Sequence, residues 1–328
     1  MGATGVNVAA RPVLCDGLLN VNKPMGWTSH DVVAKLRSLL KGVRTGHAGT
    51  LDPAATGVLP VLVGRGTRLA EYLVDWDKEY LAVLRLGETT DTQDATGTVI
   101  ERHPTDDLRD EEIRTVVSRF RGRLGQVPPM YSAVKVGGVP LYKSARAGLT
   151  VQRGPREVTV QRIEVREIAG RDVTLHIVCS KGTYVRTLCA DIGEALRVGG
   201  HLLALERRRV GPLTVERALT IEELSAEVLL GRLTEVLIPM DTTLEHFPAV
   251  LVDEVTAGRI LHGVPVPLRA VRWEQRECHE ATGQPIRLKD LSGRLLALGK
   301  ISVPGSASAG PQATPEPRVA ILKVLADP

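Results

Sequence analysis

Apolar and polar positions alternate along this chain in two rhythms. Val173, Leu175, Ile177 and Cys179 alternate with Thr174, His176 and Val178, the two-residue period of a half-buried strand. Tyr80 to Leu86 and Thr98 to Ile100 also read as extended chain, as do Val158, Val160, Ile163, Val165 and Ile168. Leu18 to Pro24 predicts a short strand that closes on a turn, and Gly57 to Val63 a buried one. Elsewhere the spacing is helical: Val32, Val33, Leu36, Leu39 and Leu40; Ile113, Val116, Val117 and Phe120 within 110–121; Val185, Leu188, Cys189, Ile192 and Leu196 within 184–196. Thr28 with Asp31, and Thr220 with Glu223, have the spacing of capping boxes.

Between these segments the pattern loosens. Glu88 to Gly97 reads as polar turn material. Gly122 to Gly138 reads as an ordered functional loop, because a plain connector rarely runs so long. After Pro239-Met240-Asp241 the texture changes to short strands around one helical segment, 252–261. Ser302 to Pro317, rich in Ser, Ala, Gly and Pro, reads as a surface insertion, and Val319 to Leu325 as a terminal strand. These elements predict an α+β chain with a flexible tail at 1–15, a large unit at 16–245 and a small β-rich unit at 246–328.

Hydrophobic residues make up 43% of the 328 positions, enough for a substantial core. Aromatics are only 3%, so that core rests on Leu, Val, Ile and Ala, and each tyrosine stands out. The net charge of +4 is too small to establish a nucleic-acid partner. Two clusters are more informative: Lys23, Lys41, Arg44, Arg65 and Arg68 around a glycine-rich segment, and Arg207, Arg208 and Arg209. They suit a phosphate backbone and a solvated helix face equally. Cys15, Cys179, Cys189 and Cys278 show no zinc-site spacing, and reduced thiols are the simpler reading. No apolar run is long enough to span a bilayer, so a soluble cytoplasmic protein without membrane contact is expected.

The densest chemistry lies in Gly46 to Leu59, where Asp52 stands among small residues directly before Pro53. A proline restricts the residue before it to extended backbone, so a shaped turn presents the carboxylate, with His47 within folding distance. An aspartate that caps its own backbone satisfies the same pattern.

Four separated stretches change that balance. They are Gly17-Leu18-Leu19-Asn20-Val21-Asn22-Lys23-Pro24-Met25-Gly26-Trp27-Thr28-Ser29, Gly46 through Leu59, Pro128-Pro129-Met130-Tyr131-Ser132-Ala133-Val134-Lys135, and Cys179-Ser180-Lys181-Gly182-Thr183-Tyr184-Val185-Arg186-Thr187-Leu188. In order and spacing the chain resembles the TruB family of bacterial tRNA pseudouridine synthases, which isomerise uridine 55 in the T loop of tRNA. Phe247-Pro248, the 253–263 segment and Gly293 to Leu298 resemble a PUA-type RNA-binding domain.

The resemblance implies a pseudouridine synthase fold with a mixed, mainly antiparallel sheet, plus a small PUA-like domain. It makes Asp52 the catalytic carboxylate, Arg186 the group that orients it, and Tyr80 the ring that meets the target base. It assigns His47 to holding the RNA loop open and Asn22 and Lys23 to the floor of the site. Tyr131, Ser132, Lys135, Tyr142 and Arg146 fall in an RNA-gripping loop near 123–146. Tyr184 packs beneath the charged pair, and Leu205 closes the uracil pocket with Arg207 to Arg209 near phosphate. The expected partner is tRNA, chiefly its T-arm, bound by a monomer with no obligate protein partner, no cofactor and no metal. Two alternatives stand: an RNA-binding or tRNA-folding protein without catalysis, and a synthase acting mainly on another RNA. The residues do not separate attack of the carboxylate on C1′ from removal of the 2′ proton.

Overall fold

The computed structural model describes residues 16–132, 134–274, 283–302 and 316–327. The expected tail, Cys15, Cys278, Ala133 and nearly all of the expected insertion lie outside the described residues.

A ten-stranded, mainly antiparallel sheet organises the larger part. Its main path runs Ile238–Pro239, Gly17–Lys23, Thr56–Val63, Gly200–Val210, Lys78–Leu86, Asp172–Cys179, Arg156–Ala169, Gly122–Gln126. Thr45–His47 adds to the Thr56–Val63 strand and Leu213–Thr214 to the Gly200–Val210 strand. Lys78–Leu86 and Asp172–Cys179 each alternate buried and half-buried positions, as their two-residue period predicts. Helices Asp110–Ser118 and Val185–Ala195 cover the buried side through Ile113, Val116, Leu188 and Ile192.

Thr56–Val63 is buried almost throughout because it is covered on both sides. Leu59, Val61 and Val63 join a core with Val32, Val33 and Leu36 of helix Ser29–Leu39 and Leu224 of helix Ile221–Leu229. Val58 and Leu62 join another with Leu295, Leu298 and Leu325. Both capping boxes form, at Thr28 and at Thr220.

The second sheet has six strands, in the order Val266–Pro267, Arg318–Val324, Leu295–Ser302, Pro285–Asp290, Ala249–Val252, Arg272–Trp273. Helix Glu254–Leu261 packs against it, with Asp253 as its cap. The sheet is joined to the rest of the chain by the shared leucine core, the edge-on rings of Tyr72 and Phe247, and Arg287, which is 2.8 Å from Asp241.

Two expectations are corrected. Gly122 to Gln126 opens the supposed loop as an edge strand paired with Arg156 to Val160. Its glycines and exposed arginine hide the apolar period, since backbone bonds rather than side-chain burial hold an edge. Glu88–Thr90 is likewise strand, paired with Val99–Arg102. Gly200 to Val210, which carries Leu205 and Arg207 to Arg209, is an eleven-residue strand in the middle of the sheet. Two bulges and an inward-facing arginine break its alternation.

Candidate active site

Asp52 stands at the tip of an excursion that leaves and re-enters one strand pair, since Thr45–His47 pairs with Val61 to Val63. Neighbouring backbone is fixed from several directions. The Ser29 hydroxyl accepts from Leu51 N–H at 2.8 Å and lies 3.1 Å from the Leu51 carbonyl. Gly26 N–H donates to the Pro53 carbonyl, and Ala55 N–H to the Asp52 carbonyl. The local turn thus closes through the Asp52 main chain, which leaves its carboxylate free for another partner.

That partner is Arg186. Its Nε lies 2.9 Å from Asp52 Oδ2 and its Nη2 is 3.4 Å from Oδ1, a two-pronged approach matched to a planar carboxylate. Arg186 occupies the first turn of helix Val185–Ala195, where the helix dipole disfavours a cation. It is buried, and its remaining donors are accounted for. Nη2 donates to the Tyr131 carbonyl at 2.8 Å, and Nη1 to the Thr92 carbonyl at 3.3 Å. Nη1 also lies 3.7 Å from Asp94 Oδ2.

Burial raises the Asp52 carboxyl above its ordinary value; Arg186 opposes this most strongly, and Asp94 adds to the rise. The net direction is upward, although 41% of the side-chain surface still faces solvent. Lys23 lies wholly buried below the loop. Its Nζ donates to the carbonyls of Pro24, Trp27 and Pro53 at 2.8, 2.7 and 3.3 Å. Burial lowers its pKa to about 8 against the pull of Asp52. The Tyr80 phenol is pushed up to about 12, chiefly by burial, so it is a neutral hydroxyl at physiological pH. His47 is held below its usual value by burial and by the charge of Arg207, and its Nδ1 has no hydrogen-bond partner.

The other expected residues divide by exposure. Tyr131, Lys135 and Arg146 are exposed, and the Arg146 guanidinium lies 5.7 Å from the centre of the half-buried Tyr142 ring. Ser132 is buried with its hydroxyl unpartnered. This region carries its own order, a small hairpin of Lys135–Val136 with Val139–Pro140 followed by helix Leu141–Arg146. The main chain of Tyr184 is held by both ends of the Gln126 amide. Leu205 packs on the core cluster that contains Leu51 and Tyr80, and Asn22 is half-buried with its N–H on the Leu219 carbonyl.

Sequence reasoning missed two groups. The first is the turn Asp91 to Gly97, expected to be plain polar material. There Asp94 accepts from Thr92 and Thr96, and Thr187 donates to Gln93 Oε1, which places the turn against Arg186. The available signal was two aspartates and two threonines interleaved at side-chain-to-backbone spacing. The second is Arg207, expected near phosphate. It is 1% exposed and turned inward beneath the Asp52 loop, beyond reach of a nucleic-acid backbone. Lys23 and Arg65 are also withdrawn from the basic patch, Lys23 onto carbonyls and Arg65 onto Asp16 and Asp327.

No group of three or more His, Cys, Asp or Glu side chains placed to hold a metal occurs among the described residues. Among them, no helix is long and apolar enough to cross a membrane. A cavity of about 790 Å³, lined in part by Asn20, Trp76, Thr214 and His246, contains none of the charged side chains around Asp52. Charge and convergence, rather than cavity size, single out the Asp52 cleft.

Two family models match consecutive parts of the chain. One, described as TruB family pseudouridylate synthase (N terminal domain), covers residues 37–185. The other, described as tRNA pseudouridylate synthase B C-terminal domain, covers 186–245. The tRNA pseudouridine synthase B of Stutzerimonas stutzeri (strain A1501) is 42% identical over 294 residues, 88% of this chain and 92% of that protein. That of Ralstonia pickettii (strain 12J) is 46% identical over 257 residues, 77% and 80% of the two chains. Among solved structures, a chain of a Cbf5-Nop10-Gar1 complex superposes with a TM-score of 0.71 at 30% identity, covering 95% of this chain and 85% of that one. A chain of an H/ACA RNP bound to a substrate RNA containing 2′-deoxyuridine gives 0.69 at 28% identity, covering 94% and 85%.

Proposed function

The chain belongs to the TruB family of pseudouridine synthases, and from that membership we propose that it converts uridine 55 in the T loop of tRNA to pseudouridine, with Asp52 as the catalytic carboxylate. The observation that carries this reading is the Arg186 fork on Asp52 at a rigid loop tip, open to solvent on one side. The reaction breaks the bond between uracil N1 and the sugar and joins C5 of the same base to the same carbon. Nothing is oxidised or reduced. An ionised carboxylate serves either by attacking C1′ or by taking the 2′ proton.

The neighbours have matching parts. Arg186 aims the carboxylate and offsets part of the burial that would protonate it. Tyr80, a neutral phenol, offers an aromatic face for the base and a hydroxyl at its edge. The target base must leave its stack to reach this depth, and the uncharged His47 is suited to the space it vacates. Asn22, Tyr184 and Leu205 shape the floor and wall, while Tyr131, Ser132, Lys135, Tyr142 and Arg146 grip the T-arm. Residues 246–328 form a PUA-like unit that aids tRNA capture. The enzyme acts as a cytoplasmic monomer without a cofactor.

Asp52→Asn tests the assignment. The amide keeps the size of the side chain and loses the ionised oxygen. Single-turnover assays at saturating unmodified tRNA are expected to show no detectable isomerisation, with tRNA binding and the thermal melt close to those of the parent. Turnover near the parent rate would refute the role of Asp52.

A further inference from the structure

Arg207 sits where the large sheet changes direction. On one side its strand runs antiparallel to Lys78–Leu86, with Arg207 opposite Tyr80. On the other it runs parallel to Thr56–Val63, with Arg207 opposite Gly57. The return leg of the Asp52 loop therefore lies directly beside this residue. Gly57 has φ +98°, and a Cβ there would fall 2.3 Å from the Arg207 carbonyl oxygen. Only glycine lets the two backbones approach so closely.

The side chain turns under the loop and joins its two legs. Nε donates to the Val58 carbonyl at 2.7 Å, on the leg after Asp52. Nη2 donates to the Gly49 carbonyl at 3.0 Å and Nη1 to the Thr50 carbonyl at 3.4 Å, on the leg before it. The Tyr80 phenol, on the residue opposite Arg207 across the strand pair, lies close enough to feel the guanidinium charge. One planar group thus bonds to both legs of the loop and lies beside Tyr80.

We propose that Arg207 is a positioning residue for the isomerisation, its guanidinium fixing the Asp52 carboxylate and the Tyr80 ring relative to one another from beneath. Placing a full charge in a protein interior is unfavourable, and an apolar side chain of similar volume commonly does as well for stability. Arginine here is explained by geometry, because five donors in a rigid plane hold carbonyls that diverge in direction. Lysine has the charge but no such plane. A carboxylate displaced by ~1 Å loses on the order of 10²-fold in rate, which sets the scale of the effect. The inference rests on the assignment of Asp52 as the catalytic carboxylate.

The test uses full-length Arg207→Met and Arg207→Lys, each checked for a cooperative thermal melt, with two readouts. In single-turnover assays with saturating tRNA, Arg207→Met is expected to fall about 10²-fold, with half-saturation within about threefold of the parent. Arg207→Lys is expected to recover less than a tenth of that loss. In hydrogen exchange without RNA, the amides of 48–57 are expected to exchange faster in both variants, with those of Lys78–Leu86 unchanged. A folded Arg207→Met with the parent rate and parent exchange overturns the proposal. A change in half-saturation alone also overturns it, because that marks an RNA contact. If neither variant melts cooperatively, the side chain serves folding and the proposal likewise fails. Because the exchange readout needs no catalysis, an active Asp52→Asn would sink the catalytic assignment and leave the clamp separately measurable.

Discussion

Two buried arginines face the Asp52 loop from opposite sides, and their partners differ in kind. Above it, Arg186 meets the Asp52 carboxylate at 2.9 Å and faces Asp94 at 3.7 Å, in a cleft open to solvent. Below it, Arg207 is 1% exposed and bonds to the carbonyls of Gly49, Thr50 and Val58. Lys23, also below, bonds only to carbonyls. The upper side governs charge, and the lower side governs where the charge is held. Removing a cation from each side is therefore expected to have different consequences for the proposed reaction.

The largest of these contrasts is expected from Arg186→Ala. It removes the fork on Asp52 and the strongest influence opposing protonation. The saturating single-turnover rate is expected to drop by at least ~10²-fold, the scale for losing one preorganised charge-stabilising donor. Arg186→Lys should leave most of that loss in place, because an ammonium cannot make the two-pronged contact. Full activity in Arg186→Lys would reduce the upper side to simple charge and erase the distinction from Lys23.

Asp94→Asn separates charge from support through pH. Asp94 raises the Asp52 pKa, so removing its charge lowers it. The acid limb of the rate, where Asp52 becomes protonated, is then expected to shift to lower pH. Above that limb the rate should fall by roughly 10-fold, through loss of the turn that supports Arg186, an effect of about 1.4 kcal/mol. An acid limb that stays in place while the rate falls would make Asp94 a support of geometry, like the residues below the loop. An acid limb shifted upward would contradict the electrostatic account outright.

The smallest effect is expected far from the loop. Arg272 is exposed on an edge strand of the second sheet, beside Trp273. In Arg272→Ala the half-saturating tRNA concentration should rise by about threefold, and the salt slope of binding should shrink by about one. The saturating rate should not change. A fall in that rate would extend the chemistry to a region that both sides of the loop leave out. Point substitution is the cleaner probe, because cutting near residue 245 would strip Leu295, Leu298 and Leu325 from a shared core.

Much of this arrangement was legible in the sequence where burial has a regular period. Lys78–Leu86 and Asp172–Cys179 alternate because one face packs and the other is half-open. Helix Val185–Ala195 shows its stripe for the same reason. The motifs also pointed to Asp52 and Arg186, which the fold brings together across 134 positions. What escaped was set by register. The inward turn of Arg207 depends on its strand running parallel to Thr56–Val63, and a bulge beside it shifts the alternation. Three consecutive arginines look alike in the chain, yet Arg208 pairs with Glu206 and Glu216, Arg209 with Glu79, and Arg207 with carbonyls. Asp94 was hidden because its turn has no apolar period, and its role comes from packing beside Arg186.

The most direct test of the central claim is pseudouridine mapping at nucleotide resolution in unmodified tRNA, treated in parallel with the parent protein and with Asp52→Asn. Conversion at uridine 55 is expected with the parent and none with Asp52→Asn, at protein concentrations where both occupy the tRNA. Conversion of uridine 55 by Asp52→Asn, or conversion by the parent only at other positions, would contradict it.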